Sequence, residues 1–109
     1  MLYPHERKHR RYKLRYPVRV KFPCGNSTVE MDTFSKNVSI GGVLLEAAAM
    51  IPPSSPVSFV MTVRGGRVIH AIQLSGEGKV VRVEHDPSGT SYAIAVECNT
   101  PINHWAGRE

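Results

Sequence analysis

The feature that most constrains the fold is a series of short segments in which apolar and polar residues alternate. In the first, residues 16–22, three apolar side chains alternate with Arg19 and Lys21, which is the period of a strand with one buried face. Further segments of this kind occupy residues 28–35, 42–46, 57–63, 68–74, 79–85 and 91–97. Six or seven short strands at spacings near ten residues indicate an all-β, antiparallel sandwich or small barrel.

Turn signals separate these segments. The pair Gly65-Gly66 is typical of a tight hairpin turn, and Asp86-Pro87-Ser88-Gly89 has the composition of a second one. Residues 68–74 and 79–85 are either two strands or one long strand bent at glycines. After residue 99, Thr100-Pro101 is a helix start with room for only a short helical turn. We therefore predict one barrel at residues 16–99 and a short C-terminal tail at residues 100–109.

Several classes of function are disfavoured. No apolar run approaches the ~20 residues of a membrane span, and the first residues lack the apolar region of a signal peptide. Cys24 and Cys98 lie far apart without CxxC spacing, so neither zinc nor redox chemistry is indicated. We expect two thiols in a reducing compartment, and hence a cytoplasmic protein.

Enzymatic chemistry is also disfavoured. The five histidines show no metal-ligand spacing, and Ser39 has no evident histidine and aspartate partners. The Gly41-Gly42 pair is not followed by the Lys-Ser or Lys-Thr of a phosphate-binding loop. The sequence therefore predicts a binding protein with no catalytic residues, metal site or cofactor.

The positive charge is concentrated at the N-terminus. Eight of the 14 basic residues and one of the nine acidic ones fall within residues 1–21, which gives +7 there and leaves −2 for the six basic and eight acidic residues that follow. We predict that residues 1–15 form a flexible basic arm. Such an arm suits a partner that carries phosphate: a nucleotide, a nucleic acid or a membrane head group.

Within the arm, Arg11 and Arg15 form an RxxxR pair with Arg10 beside it, and Arg7 with Arg11 has the same spacing. The arginine fork binds phosphate bidentately, pairs with guanine and stacks on rings. Further on, Asn37-Val38-Ser39-Ile40-Gly41-Gly42 places an amide, a hydroxyl and two glycines between two predicted strands. An amide and a hydroxyl both donate and accept hydrogen bonds, and glycine lets backbone N–H groups approach a ligand.

In this order and spacing, the RxxxR arm, the strand Tyr-Pro-Val-Arg-Val of residues 16–20 and the NxSxxG hexapeptide resemble a PilZ domain. The segments at residues 78–83 and 92–97 resemble the later strands of that family. The resemblance implies a six-stranded antiparallel β-barrel that binds the bacterial second messenger cyclic di-GMP on its outer face. It also implies a receptor or adaptor that passes the signal to a downstream protein partner by ordering its arm.

Carried over to this chain, the resemblance gives a role to each motif residue. Arg11 and Arg15 would hold guanine edges and phosphates, with a further contact from Arg10. Asn37 would bind the Watson–Crick edge of guanine, and Ser39 a phosphate or base. Gly41 and Gly42 complete the motif, where Gly42 would keep the surface open.

The chain departs from the family pattern at some positions, and three alternatives stay open. Asn37 stands where many members have aspartate, Ala93 and Ala95 replace glycines, and the usual C-terminal helix is curtailed. We therefore expect barrel closure or dimerisation to differ from other members, and a homodimer stays open. The alternatives are Arg7 with Arg11 as the operative pair, a PilZ-like protein-interaction module without ligand, and a small barrel that binds nucleic acid. The last is disfavoured, because 7% aromatic residues offer few stacking platforms.

Overall fold

The alternating segments form the first six of seven strands in the computed structural model, which describes residues 13–64, 71–100 and 103–105. The strands run β1 Pro17–Cys24, β2 Ser27–Ser39, β3 Gly42–Ala47, β4 Pro56–Val63, β5 Ile72–His85, β6 Tyr92–Cys98 and β7 Asn103–Trp105. The predicted all-β class is confirmed, and each predicted strand that falls within the described residues is present.

The strands close into a six-stranded antiparallel barrel, as predicted. They pair in the order β4–β1–β2–β3–β6–β5, and a further pairing between β4 and β5 completes the ring. Every pairing is antiparallel. The ring therefore has two outer walls: β3, β6 and the second halves of β2 and β5 form one, and β1, β4 and the first halves of β2 and β5 form the other.

Strand β5 belongs to both walls because it is long. Its first half pairs with β4 from Ile72 to Lys79, and its second half pairs with β6 from Gly78 to His85. Where the two pairings overlap, a Cβ on Gly78 would lie 2.1 Å from the carbonyl oxygen of Glu97. A glycine is thus required where β5 changes neighbours. Of the two predicted arrangements, two separate strands or one long strand, the long strand is correct for the described residues. The Gly65-Gly66 turn and the predicted strand residues before 71 lie outside the described residues.

The core consists of the side chains that each strand directs inward. Val18, Val20 and Phe22 of β1 are buried, while Arg19 and Lys21 between them are exposed. Inward residues of β3, β4, β5 and β6 complete the same cluster, to which Ile51 of the β3–β4 loop, itself fully buried, also belongs. Burial of this apolar surface is the main stabilising term for the barrel.

The C-terminal segment differs from the prediction. In place of the short helical turn expected after Thr100, residues Asn103–Trp105 form β7, which pairs with Ser75, Leu74 and Gln73 of β5. The first half of β5 has β4 on one side only, so its other edge carries unpaired backbone groups that a strand satisfies and a helix does not.

Candidate functional site

A β-bulge in β2 determines which way the NxSxxG motif faces. The pairing with β3 joins Ser35 to Leu45 and then Asn37 to Leu44, so Lys36 is an extra residue without a partner. Before the bulge, the odd-numbered residues Thr33 and Ser35 point into the barrel. After it, Val38 packs against the core and pairs with the buried Val43. The bulge therefore turns Asn37 and Ser39 to the outer face, where an uninterrupted strand would direct them inward.

The outer face of β2 and β3 consequently presents three successive rows. Residues paired across antiparallel strands lie on the same face, so the rows are Phe34 with Glu46, Asn37 with Leu44, and Ser39 with Gly42. Neighbouring rows are about 7 Å apart along the strands. Across β3 the rows continue onto β6 at Ala93, Ala95 and Glu97. Because Ala93 and Ala95 have small side chains, no bulky group stands out from β6 beside the first two rows.

Arg15 lies on the first row. Its guanidinium carbon is 4.4 Å from the centre of the Phe34 ring, a cation–π contact, and its Nη1 forms an ion pair with Glu46 Oε1. The side chain is nonetheless 58% exposed. One face and one edge of the guanidinium are thus engaged by the barrel, and the rest of the fork is available to a ligand.

Ser35 fixes the chain that leads into Arg15. Its buried hydroxyl donates to the Leu14 carbonyl and accepts a hydrogen bond from the Tyr16 backbone N–H at 2.9 Å. The Ser35 N–H in turn donates to the Tyr16 carbonyl at 2.9 Å. These bonds on both sides of Arg15 attach its backbone to β2, so Arg15 is placed by the barrel although it belongs to the predicted arm.

At the other end of the motif, Gly42 is constrained by packing. A Cβ at this position would lie 2.5 Å from the carbonyl oxygen of Val96 on β6. Nearby, the Ser39 hydroxyl is 3.4 Å from the Gly42 carbonyl, a long hydrogen bond that a ligand could replace. The Gly41 carbonyl accepts the Cys98 N–H at 2.9 Å. Gly42 therefore lets β3 approach β6 closely at the end of the row.

Of the predicted site residues, four share this face: Arg15, Asn37, Ser39 and Gly42. Gly41 adjoins them in the β2–β3 turn. Arg10 and Arg11, like the alternative Arg7, lie outside the described residues. Phe34 and Glu46 were not predicted. The sequence did carry a signal for Phe34. In a strand, residues 30, 32 and 34 lie on one face, so this aromatic residue shares the outer face with the polar residues Glu30 and Asp32.

The other wall, where the first half of β2 pairs with β1, carries charges that neutralise one another. Arg19 Nε lies 3.0 Å from Asp32 Oδ1, and Glu30 lies 3.8 Å from Arg19 and 3.6 Å from Lys21. The hydrogen bond and charge of Asp32, followed by the charge of Glu30, raise the pKa of Arg19. Beside this network is an open cleft of about 470 Å³, whose lining includes Ser58, Ser75, Gly76 and Glu77.

In the part of the chain that the structure describes, no group of three or more histidine, cysteine, aspartate or glutamate side chains could hold a metal ion. None of the described residues form a helix long and apolar enough to cross a membrane.

The closed ring with a polar row on its outer wall defines a small β-barrel binding domain. A family model described as "PilZ domain" matches residues 5–104, nearly the whole chain, and the chain belongs to that family. PilZ domains are in general receptor domains for cyclic di-GMP, and the family is a binding and adaptor domain rather than a catalytic one.

Among solved structures, the chain is similar to the Bacillus subtilis inhibitor of motility MotI/DgrA, with a TM-score of 0.67 and 19% sequence identity. The similarity covers 93% of this chain and 44% of MotI, so this chain spans less than half of that protein. At this identity the likeness supports the fold. No curated protein sequence matches the chain.

Proposed function

We propose that this chain binds cyclic di-GMP on the outer face of β2 and β3. The observation that carries the proposal is the bulge at Lys36, which turns Asn37 and Ser39 onto the same face as Arg15. The three side chains supply a cation, an amide and a hydroxyl on successive rows. A ligand with guanine bases and two phosphates requires groups of these kinds.

Each residue has a role that its position permits. Arg15 presents the free part of its fork to a phosphate or to guanine O6 and N7. Asn37, one row further, can both donate to and accept from the Watson–Crick edge of guanine. Ser39 bonds a phosphate or base once its long bond to Gly42 is exchanged. Arg10 and Arg11 supply further phosphate or guanine contacts, and Gly41 and Gly42 complete the end of the row.

The proposed signal is the ordering of the basic arm over the bound ligand. The attachment of Leu14 and Tyr16 to Ser35 gives the arm a fixed starting point beside the site. A ligand contacted by both arm and barrel would therefore hold the arm against β2 and β3. The new surface of arm and ligand together would be read by a downstream protein partner in the cytoplasm.

The experiment that tests the proposal is isothermal titration calorimetry of the full chain with cyclic di-GMP, with GMP and cyclic di-AMP as controls. We expect selective binding of the guanine dinucleotide, with a stoichiometry that shows whether one ligand or a pair binds. Sedimentation with and without ligand reports whether a homodimer forms. Absence of binding to a protein shown to be folded would reject the receptor function and leave a ligand-free protein-interaction module.

Binding to nucleic acid is distinguished in the same series. A single-stranded RNA and a duplex DNA are titrated at two salt concentrations. Affinity that falls steeply with salt and shows no base preference would identify a phosphate-binding barrel instead, because release of counterions dominates such binding.

A further inference from the structure

We infer that Glu46 is a built-in competitor for the Arg15 guanidinium, and that it sets the affinity of the site for its phosphate ligand. The inference rests on the proposed function, because it names a residue that limits binding at that same face. Nothing in the NxSxxG motif or the arginine pair includes this position.

The geometry places a carboxylate where a ligand phosphate would bind. Glu46 pairs with Phe34 across β2 and β3, so its side chain lies on the outer row that Arg15 covers. Its Oε1 bonds Nη1 of Arg15, an edge of the guanidinium fork. Carboxylate and phosphate bind that fork in the same way, through two oxygens that accept parallel N–H bonds. The two anions therefore compete for one edge of Arg15.

Phe34 makes such an exchange geometrically simple. It contacts the guanidinium through its ring face at 4.4 Å, whereas Glu46 takes an edge. Replacing Glu46 by a phosphate therefore leaves the stacking contact in place, and Arg15 does not have to change its position. The arginine is pre-organised by the ring, and the glutamate is the group that leaves.

The ion pair is weak enough to be displaced. The side chains of Arg15 and Glu46 are 58% and 35% exposed, so solvent screens their attraction. Once displaced, however, the Glu46 carboxylate remains beside the ligand and repels its phosphate. Both effects lower affinity, and we expect that removing the charge tightens binding by about 3- to 10-fold.

The test compares Glu46→Gln with Glu84→Gln in the full chain, titrated with cyclic di-GMP by calorimetry. Glu84 is a matched control because it shares the outer row of Glu46 through Ala93, lies two strands away, and pairs with Arg82 at 3.3 Å. Both variants remove one negative charge from the same wall. Thermal melts confirm that each variant is folded.

Tighter binding by Glu46→Gln with less than a twofold change for Glu84→Gln supports the inference. Weaker or unchanged binding by Glu46→Gln overturns it, since Glu46 would then position Arg15 or have no influence. Equal tightening by both variants also overturns it, because the effect would be one of overall charge. Binding by neither wild type nor variants rejects the proposed function and the inference together, whereas binding by Glu46→Gln alone supports both.

Discussion

Arg15 and Arg19 lie four residues apart on the same stretch of chain, have similarly exposed side chains, and occupy different walls of the barrel. Arg19 lies between Asp32 and Glu30, and the second of these also pairs with Lys21, so two cations meet two anions. Arg15 contacts one carboxylate, that of Glu46, and the ring of Phe34. The amide of Asn37 and the hydroxyl of Ser39 lie on the next two rows. An RxxxR spacing thus does not identify a site by itself; what distinguishes Arg15 is the set of groups that the neighbouring strand presents.

The largest expected effect is on the core that both walls share. Val20 is fully buried in β1, so Val20→Ala removes two methyl groups and leaves a cavity. We expect the free energy of unfolding to fall by about 2–3 kcal/mol, measured by denaturant titration. Where the variant is still folded, its affinity for cyclic di-GMP should equal that of wild type. A selective loss of affinity would mean that the two walls are not independent.

Next in size is the comparison of the two arginines themselves. Arg15→Ala should weaken cyclic di-GMP binding by about 1–3 kcal/mol, the value of a bidentate contact to guanine. Arg19→Ala removes the same charge four residues away and should leave the affinity unchanged. Calorimetry measures the affinity of both variants for cyclic di-GMP. Equal losses of affinity would show that the arginines act only through overall charge.

A smaller effect is expected at Asn37. Asn37→Ala removes hydrogen bonds to a guanine edge without changing charge, and should cost about 0.5–1.5 kcal/mol of binding free energy. The loss should be confined to guanine ligands and should not depend on salt. A loss that varies with salt concentration would place Asn37 beside a phosphate instead.

The smallest effect concerns pH. Hydrogen bonds from the Ser88 hydroxyl and N–H, at 2.6 and 3.0 Å, lower the pKa of Asp86, with a further contribution from Lys36 at 3.7 Å. Because the folded-state pKa is the lower one, this stabilisation is present above the unfolded-state pKa and is lost as pH falls through the folded value. Melts in acid should therefore show a slightly shallower decline for Asp86→Asn than for wild type. Identical acid limbs would mean that the hydrogen bonds from Ser88 and the smaller contribution of Lys36 do not stabilise the folded chain.

Alternation was sufficient to predict most of the barrel. It placed Val18, Val20 and Phe22 inside and Arg19 outside, because one buried face imposes a period of two. It could not predict the tail, where three residues at 103–105 pair with an edge of β5 that exists only in the assembled ring. Local signals such as Thr100-Pro101 carry no information about an edge so distant in sequence.

For the candidate site, the sequence predicts the motif residues but not how they are arranged, and their role in binding stays a prediction. The motif indicated Asn37, Ser39 and the glycines, yet the bulge at Lys36 that turns them outward has no glycine or proline to mark it. Without the bulge the register of β2 on β3 cannot be assigned, and the neighbourhood of Phe34, Glu46 and Arg15 follows only from that register. The assignments of Arg10 and Arg11, and of residues 1–15 as an arm, remain predictions.

Closure of the ring limits how another protein can recognise this domain. Each of β1 to β6 pairs with two neighbours among the described residues, and β7 covers the further edge of β5 at residues 73–75. Where a strand is flanked on both sides, its backbone donors and acceptors are satisfied and a partner cannot add a strand; the ends of β2 and β5 that pair with one neighbour only are the exception. Over the flanked part of the ring, recognition depends on side chains standing out from the walls, which are the groups that a bound ligand would cover or rearrange.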